Sequence, residues 1–139
     1  MLRRLLLALA VFAFSAPAFA SEVYVMVDIS EQKMIVRVDG AVVHEFAVST
    51  GRKGYSTPTG AYGVTRMYRK YHSKKYDGAP MPHSIFFHGG YAIHGTTDIK
   101  RLGKIASHGC VRLHPDNART LFNLVKDAGS DSTHIWVKS

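Results

Sequence analysis

The chain has 139 residues, 46% of them hydrophobic, and carries a formal net charge of +8 at neutral pH. That length supports one domain with a real core and excludes a string of domains within these residues. A single cysteine excludes an internal disulfide framework, so the thiol is either buried and inert or free and reactive.

Residues 1–20 read as a leader. MLRR is basic, LLLALAVFAF is apolar, and SAPAFA ends in an Ala-x-Ala pattern at Ala18 and Ala20. The apolar run is about ten residues, half of what a membrane-spanning helix needs. A secretory signal peptide removed before Ser21 is therefore expected, with residues 21–139 as the domain and no stable membrane span after cleavage. Cleavage removes Arg3 and Arg4 and lowers the net charge by two. For an exported chain, the remaining positive excess suits anionic wall polymer or carboxylate-rich peptides and not nucleic acid.

EVYVMVDIS places Val23, Val25, Val27 and Ile29 on one face, which predicts a half-buried strand. KMIVRV and AVVHEFAVS flank Asp39-Gly40, a strong two-residue hairpin signal. STGRKGYSTPTGAYGV reads as a Gly/Pro/Ser-rich loop that leads into a strand between Tyr62 and Tyr68. YRKYHSKKYDGAPMPHS is basic, aromatic and turn-rich, and predicts a long exposed loop. SIFFHGGYAIHG predicts a second hairpin turning at Gly89-Gly90.

The spacing predicts one helix, over PDNARTLFNLVKDAG. Pro115 suits the first helical position, and Asp116 suits the positive N-terminal end. Ala118, Leu121, Phe122, Leu124, Val125 and Ala128 form an apolar stripe, with Gly129 as the C-terminal cap. THIWVKS predicts a closing strand. The fold class is mainly β with one helix packed on it.

The chemistry concentrates in HGCVRLH. With a period of two, His108, Cys110, Arg112 and His114 share one parity, and Val111 and Leu113 share the other. A strand here packs its aliphatic side and presents thiol, guanidinium and two imidazoles. A thiol reacts as thiolate and needs a positive neighbour or a base. His94, in YAIHGTT at the end of a predicted strand, is the candidate base, with Gly95 letting the chain turn away. The amides of Gly109 and Cys110 are candidates for an oxyanion site. A zinc site built from His88, His94, His108, Cys110 and His114 is the alternative, but there is no Cys-x-x-Cys and no His-Glu-x-x-His. No Gly-x-Ser-x-Gly is present for a serine hydrolase.

HGT at 94–96, LG at 102–103 and SHGCVRL at 107–113, together with STPTGAY at 56–62, resemble the signature of the L,D-transpeptidases with a YkuD-type catalytic domain. The resemblance covers essentially all of residues 21–139. YDGAPMPHSIFFHGGYAIHGT looks like members from Gram-negative bacteria. The resemblance implies a β-sandwich-like fold with the cysteine at the base of a cleft, acting on peptidoglycan tetrapeptide stems in the periplasm or cell wall. It implies Cys110 as nucleophile and His94 as base, with the Gly95 carbonyl orienting the imidazole. His108 and Gly109 would line the oxyanion site, and Ser107 and Arg112 would support the site and contact substrate. It further implies sensitivity to carbapenems and no cofactor or metal, because one amide's energy passes through a thioester to a new amide. The acceptor stays open: a second stem gives a 3→3 cross-link, an outer-membrane protein gives attachment to the wall, and water gives an L,D-carboxypeptidase. A non-catalytic wall-binding or zinc-binding protein is the alternative from a different class.

Overall fold

The structure, a computed structural model, describes residues 10–139. The MLRR start and the first half of the apolar run lie outside the described residues, and residues 10–20 are exposed and form no regular element. No helix among the described residues is long and apolar enough to cross a membrane.

The strands are β1 (Val23–Asp28), β2 (Lys33–Val38), β3 (Ala41–Ser49), β4 (Gly60–Tyr62), β5 (Arg66–Tyr68), β6 (Ser84–His88), β7 (Tyr91–Gly95), β8 (Val111–Leu113) and β9 (Thr133–Lys138). Helix α1 spans Pro115–Ala128, and short 3₁₀ turns cover Ile99–Arg101 and Ser130–Ser132. The strands form one sheet in the order β4-β9-β1-β2-β3-β8-β7-β6-β5. This is the expected mainly β, sandwich-like fold with one main helix.

The expected single strand between Tyr62 and Tyr68 is instead two short ones at opposite ends of that order: β4 pairs with β9, and β5 pairs with β6. The difference dictates the shape. Nine flat strands would span roughly 40 Å, yet Tyr62 and Arg66 are four residues apart and at most about 14 Å from each other. The sheet must therefore curl until its edges come close, enclosing the core.

Alternation fills that core. Val23, Val25 and Val27 of β1, Met34 and Val36 of β2, and Ile135 and Val137 of β9 are buried, and their sequence neighbours point outward. From the helix, Ala118, Leu121, Phe122 and Val125 pack into the same cluster. The Asp39-Gly40 hairpin forms as expected, both residues taking positive φ (48° and 86°). Strand β9 runs parallel to β1, between it and the edge strand β4, with Tyr24 opposite His134 and Met26 opposite Trp136.

The stretch HGCVRLH is less regular than its alternation suggests. Only Val111–Leu113 pairs as strand, antiparallel to β3 and parallel to β7. His108–Cys110 is irregular backbone, because Gly109 at φ 120° leaves the extended region. Val111 and Leu113 are nonetheless fully buried, as their parity predicts.

Candidate active site

The parallel pairing of β7 with β8 sets Ile93 opposite Val111 and His94 opposite Arg112, so it brings the candidate base beside the cysteine segment. His94, Cys110 and Arg112 line a cavity of about 370 Å³ whose wall also includes Ser107, His108 and Asp98.

His94 is buried, and its Nδ1 lies 2.7 Å from the Gly95 carbonyl oxygen. A carbonyl only accepts, so Nδ1 carries the proton and Nε2 keeps its lone pair. Burial pushes the imidazole down to about 4, and the Arg112 guanidinium adds to this against the opposing bond to Gly95. Neutral imidazole is thus the resting form at ordinary pH. Gly95 is glycine for a reason other than a turn. Its φ is not in the left-handed region, but a Cβ there would sit 3.1 Å from Pro82 and 3.2 Å from the Cα of Pro115. Close packing of the α1 N-terminus against β7, and not the expected turning away, requires it.

Cys110 is half-buried beside the small cluster of Met81, Phe86 and Ala92, with Sγ 3.9 Å from the Gly90 carbonyl. Burial pushes the thiol up, against weaker pulls from the Ala92 backbone and Arg112. The two shifts work together: thiol raised and imidazole lowered favour a neutral pair over a thiolate–imidazolium pair at rest. Such a pair suits general-base removal of the thiol proton during attack.

Ser107 is buried and organises the turn before the cysteine. Its Oγ donates to the Cys110 carbonyl (2.6 Å) and accepts from the Gly109 amide (3.0 Å). The Gly109 amide is therefore engaged within the turn by the Ser107 hydroxyl. A Cβ on Gly109 would come 2.5 Å from the Tyr91 ring, at a φ that side chains rarely adopt. The His108 ring is stacked on Tyr76 at 4.2 Å and meets Tyr55 edge-on at 5.0 Å, and its Nε2 lies 3.0 Å from an Arg52 nitrogen. It thereby joins the 50–57 loop to the 69–83 loop across the cavity mouth. Arg112 is partly buried and faces Asp98 at 3.9 Å, which Arg101 holds more closely at 3.1 Å. His114 stands apart as the N-cap of α1, its Nδ1 accepting from the Asp116 amide at 3.1 Å. Among the described residues no group of three or more His, Cys, Asp and Glu converges to hold a metal ion. His88, on the hairpin turn, is exposed beside Tyr62 and Tyr91.

Sequence reasoning missed the inner supports. Thr57 is buried, accepts from the Gly51 amide (2.9 Å) and donates to the Gly109 carbonyl (2.7 Å). Gln32, at the β1–β2 turn, holds Thr50 through two hydrogen bonds, and the Thr50 carbonyl accepts from the Ala106 and Ser107 amides. STPTGAY flagged Thr57 as part of a motif, whereas nothing local marks Gln32. The loop expected at 69–83 is folded back on itself: His72 bridges Pro80, the Met81 amide bonds the Tyr71 carbonyl, and the turn falls at Asp77-Gly78.

A family model for the L,D-transpeptidase catalytic domain, YkuD, matches residues 22–135. The chain belongs to this family. Among relatives of this L,D-transpeptidase domain is YqjB of Bacillus subtilis (strain 168), whose name places it provisionally with the same enzymes. It is 30% identical over 115 residues, covering 73% of this chain and 65% of its own. The L,D-transpeptidase of Stackebrandtia nassauensis superposes with a TM-score of 0.75 at 29% identity, over 85% of this chain and 56% of that one. The Mycobacterium smegmatis L,D-transpeptidase superposes with a TM-score of 0.76 at 24% identity, over 86% of this chain and 59% of its own, a likeness of fold. The chain thus spans less than two thirds of each relative's length.

Proposed function

We propose that this L,D-transpeptidase domain transfers peptidoglycan stem peptides through a thioester on Cys110. The observation that carries the reading is the β7–β8 juxtaposition. It sets a buried imidazole, fixed as the Nδ1–H tautomer by Gly95, in one cavity with the chain's single cysteine.

His94 Nε2 takes the thiol proton as Sγ attacks the carbonyl at the L-centre of diaminopimelate in a tetrapeptide. The C–N bond to D-alanine breaks, and the amine leaves with the proton that His94 returns. An acceptor amine then attacks the thioester, His94 again removes a proton, and Cys110 departs as thiol. The Cys110 amide is the proposed donor to the oxyanion, on a turn that Ser107 and Thr57 hold in place. Arg112 remains charged and offers a guanidinium fork to a substrate carboxylate, with Asp98 setting its direction. An amine of a second stem or of an outer-membrane protein is the proposed acceptor. Residues 1–20 are proposed as the export signal that places the domain at the wall.

The test is incubation with purified tetrapeptide muropeptides, with and without an amine acceptor, followed by mass spectrometry. Cross-linked or amine-exchanged product should exceed tripeptide. Intact mass should rise by one adduct with a carbapenem and stay unchanged in Cys110→Ala. Dominant tripeptide with acceptor in excess assigns an L,D-carboxypeptidase instead, and an adduct on the Ala variant sinks Cys110 as nucleophile.

A further inference from the structure

The outer face of β2-β1-β9-β4 is built by the alternation that fills the core. With Val23, Val25, Ile135 and Val137 inward, Tyr24, Met26, His134 and Trp136 must point out. Register aligns them in two rows: Arg37 opposite Tyr24 opposite His134, and Ile35 opposite Met26 opposite Trp136 opposite Ala61. Between them lies a groove of about 730 Å³ that shares no lining residue with the catalytic cavity. Trp136, the chain's single tryptophan, is 54% exposed and Tyr24 is 48% exposed. The Tyr24 ring is stacked on His134 at 4.7 Å. An apolar, aromatic face of this kind on a surface points to a ligand.

Charge narrows the ligand. No acid lines the groove, and three on or beside the neighbouring strands are already held: Glu22 by His134 (2.7 Å), Asp28 by Lys138 (3.1 Å) and Glu45 by Lys33 (2.9 Å). Among the described residues Arg37 has no ion pair. One unmatched cation is too few for a polyanion, which needs several along its backbone. The groove instead complements an uncharged polymer with apolar ring faces and amide groups. Pyranose C–H faces carry partial positive charge and stack on the electron-rich faces of Trp and Tyr. Acetamido carbonyls would accept from Arg37, and acetyl methyls would lie beside Met26 and Ala61, which line the groove. Tyr24 and Trp136 stand one row apart, roughly 7 Å along the strands, within reach of neighbouring sugars of one chain.

We propose that this groove binds a strand of N-acetylated amino sugars. The inference deepens the peptidoglycan reading and rests on it for its natural ligand: stems hang from such strands, so holding the glycan raises the local concentration of stems at the cavity.

The experiment titrates the full chain with N-acetylglucosamine oligomers and follows Trp136 fluorescence. A saturable change is expected, equal in wild type and Cys110→Ala, and about tenfold weaker binding in Tyr24→Ala. Calorimetry on Trp136→Ala should show binding lost and on Trp136→Phe partly kept, with circular dichroism unchanged in both. No saturable change, or no effect of Tyr24→Ala, overturns the proposal. So does sedimentation showing that Trp136→Ala only splits a dimer, which would assign the face to a second copy. Because binding is read without turnover, failed stem transfer with intact sugar binding sinks the transpeptidase reading alone.

Discussion

The two parts of the curled sheet are built on different rules. Strands β1, β2 and β9 have six residues each and alternate between core and solvent along most of their length, the pattern lapsing only at the last residue of β1 and of β2. Strands β6 and β7 have five each, and four successive residues of each are buried: Ser84–Phe87 and Ala92–Gly95. They are covered on both sides, by α1 and the core on one and by the 69–83 loop on the other, where Met81, Phe86 and Ala92 meet. The cavity lies under that second cover. A strand with one face in water needs only alternation. A strand roofed on both faces needs a loop as its roof, and a gap under the roof is where chemistry can be shielded from solvent.

If that division is right, function should fail at the face of the roofed strands that lines the cavity, and stability in the alternating strands and in the core that α1 closes. The largest separation is expected at histidine. His94→Ala should slow acylation by about 10²–10⁴-fold as the proposed base is lost, while His114→Ala, a helix cap outside the cavity, should leave the rate near wild type. Stopped-flow acylation by a carbapenem decides it, and equal losses would place the base elsewhere. The same imidazole fixes the pH response. Its folded pKa, about 4, lies below the ordinary 6.5, so it stays a base as pH falls and is lost only near pH 4, where the acid limb of kcat/KM should appear. The sign for stability follows: a depressed pKa means protonation opposes folding. Stability is full above about pH 6.5 and declines toward pH 4.

The reverse case is Leu121→Ala in α1. Leu121 is fully buried, and its truncation should cost about 2–5 kcal/mol of unfolding free energy with little change in acylation at a temperature where the protein stays folded. A denaturant series paired with the acylation assay checks this; a large kinetic loss in the folded variant would break the division.

Thr57→Val should affect both readouts, because Thr57 lies beneath the cysteine turn. The hydroxyl serves the Gly51 amide and the Gly109 carbonyl, and leaving each without a partner costs about 1–3 kcal/mol. A lowered melting temperature together with slower acylation is expected. A drop in melting temperature alone would mean that the turn keeps its shape without Thr57.

The smallest effect concerns the roof itself. Tyr76→Ala removes the ring stacked on His108, a contact of about 0.5–1.5 kcal/mol, and should shift the partition from amine transfer toward hydrolysis by about 2- to 10-fold. Tyr76→Phe should restore it. An unchanged product ratio in Tyr76→Ala would show that the loop does not shape the acceptor path.

By itself, the sequence determined the features that depend on neighbours along the chain. The valine alternation of β1, the Asp-Gly hairpin and the Leu121–Phe122–Val125 stripe are all local periodicities set by backbone geometry. So is the pairing of buried Val111 and Leu113 with a polar partner parity, and the motif around Cys110 together with His94 carried the family. Tertiary structure decided what depends on chain closure. Residues 60–68 split between the two sheet edges because a curled sheet brings those edges together, which no local pattern encodes. Gly95 and Gly109 are glycine because Pro115 and the Tyr91 ring approach from elsewhere in the chain. Gln32 and Thr57 support the cysteine turn from 75 and 52 residues away or thereabouts along the chain, since a buried amide or carbonyl must find a partner wherever the fold supplies one.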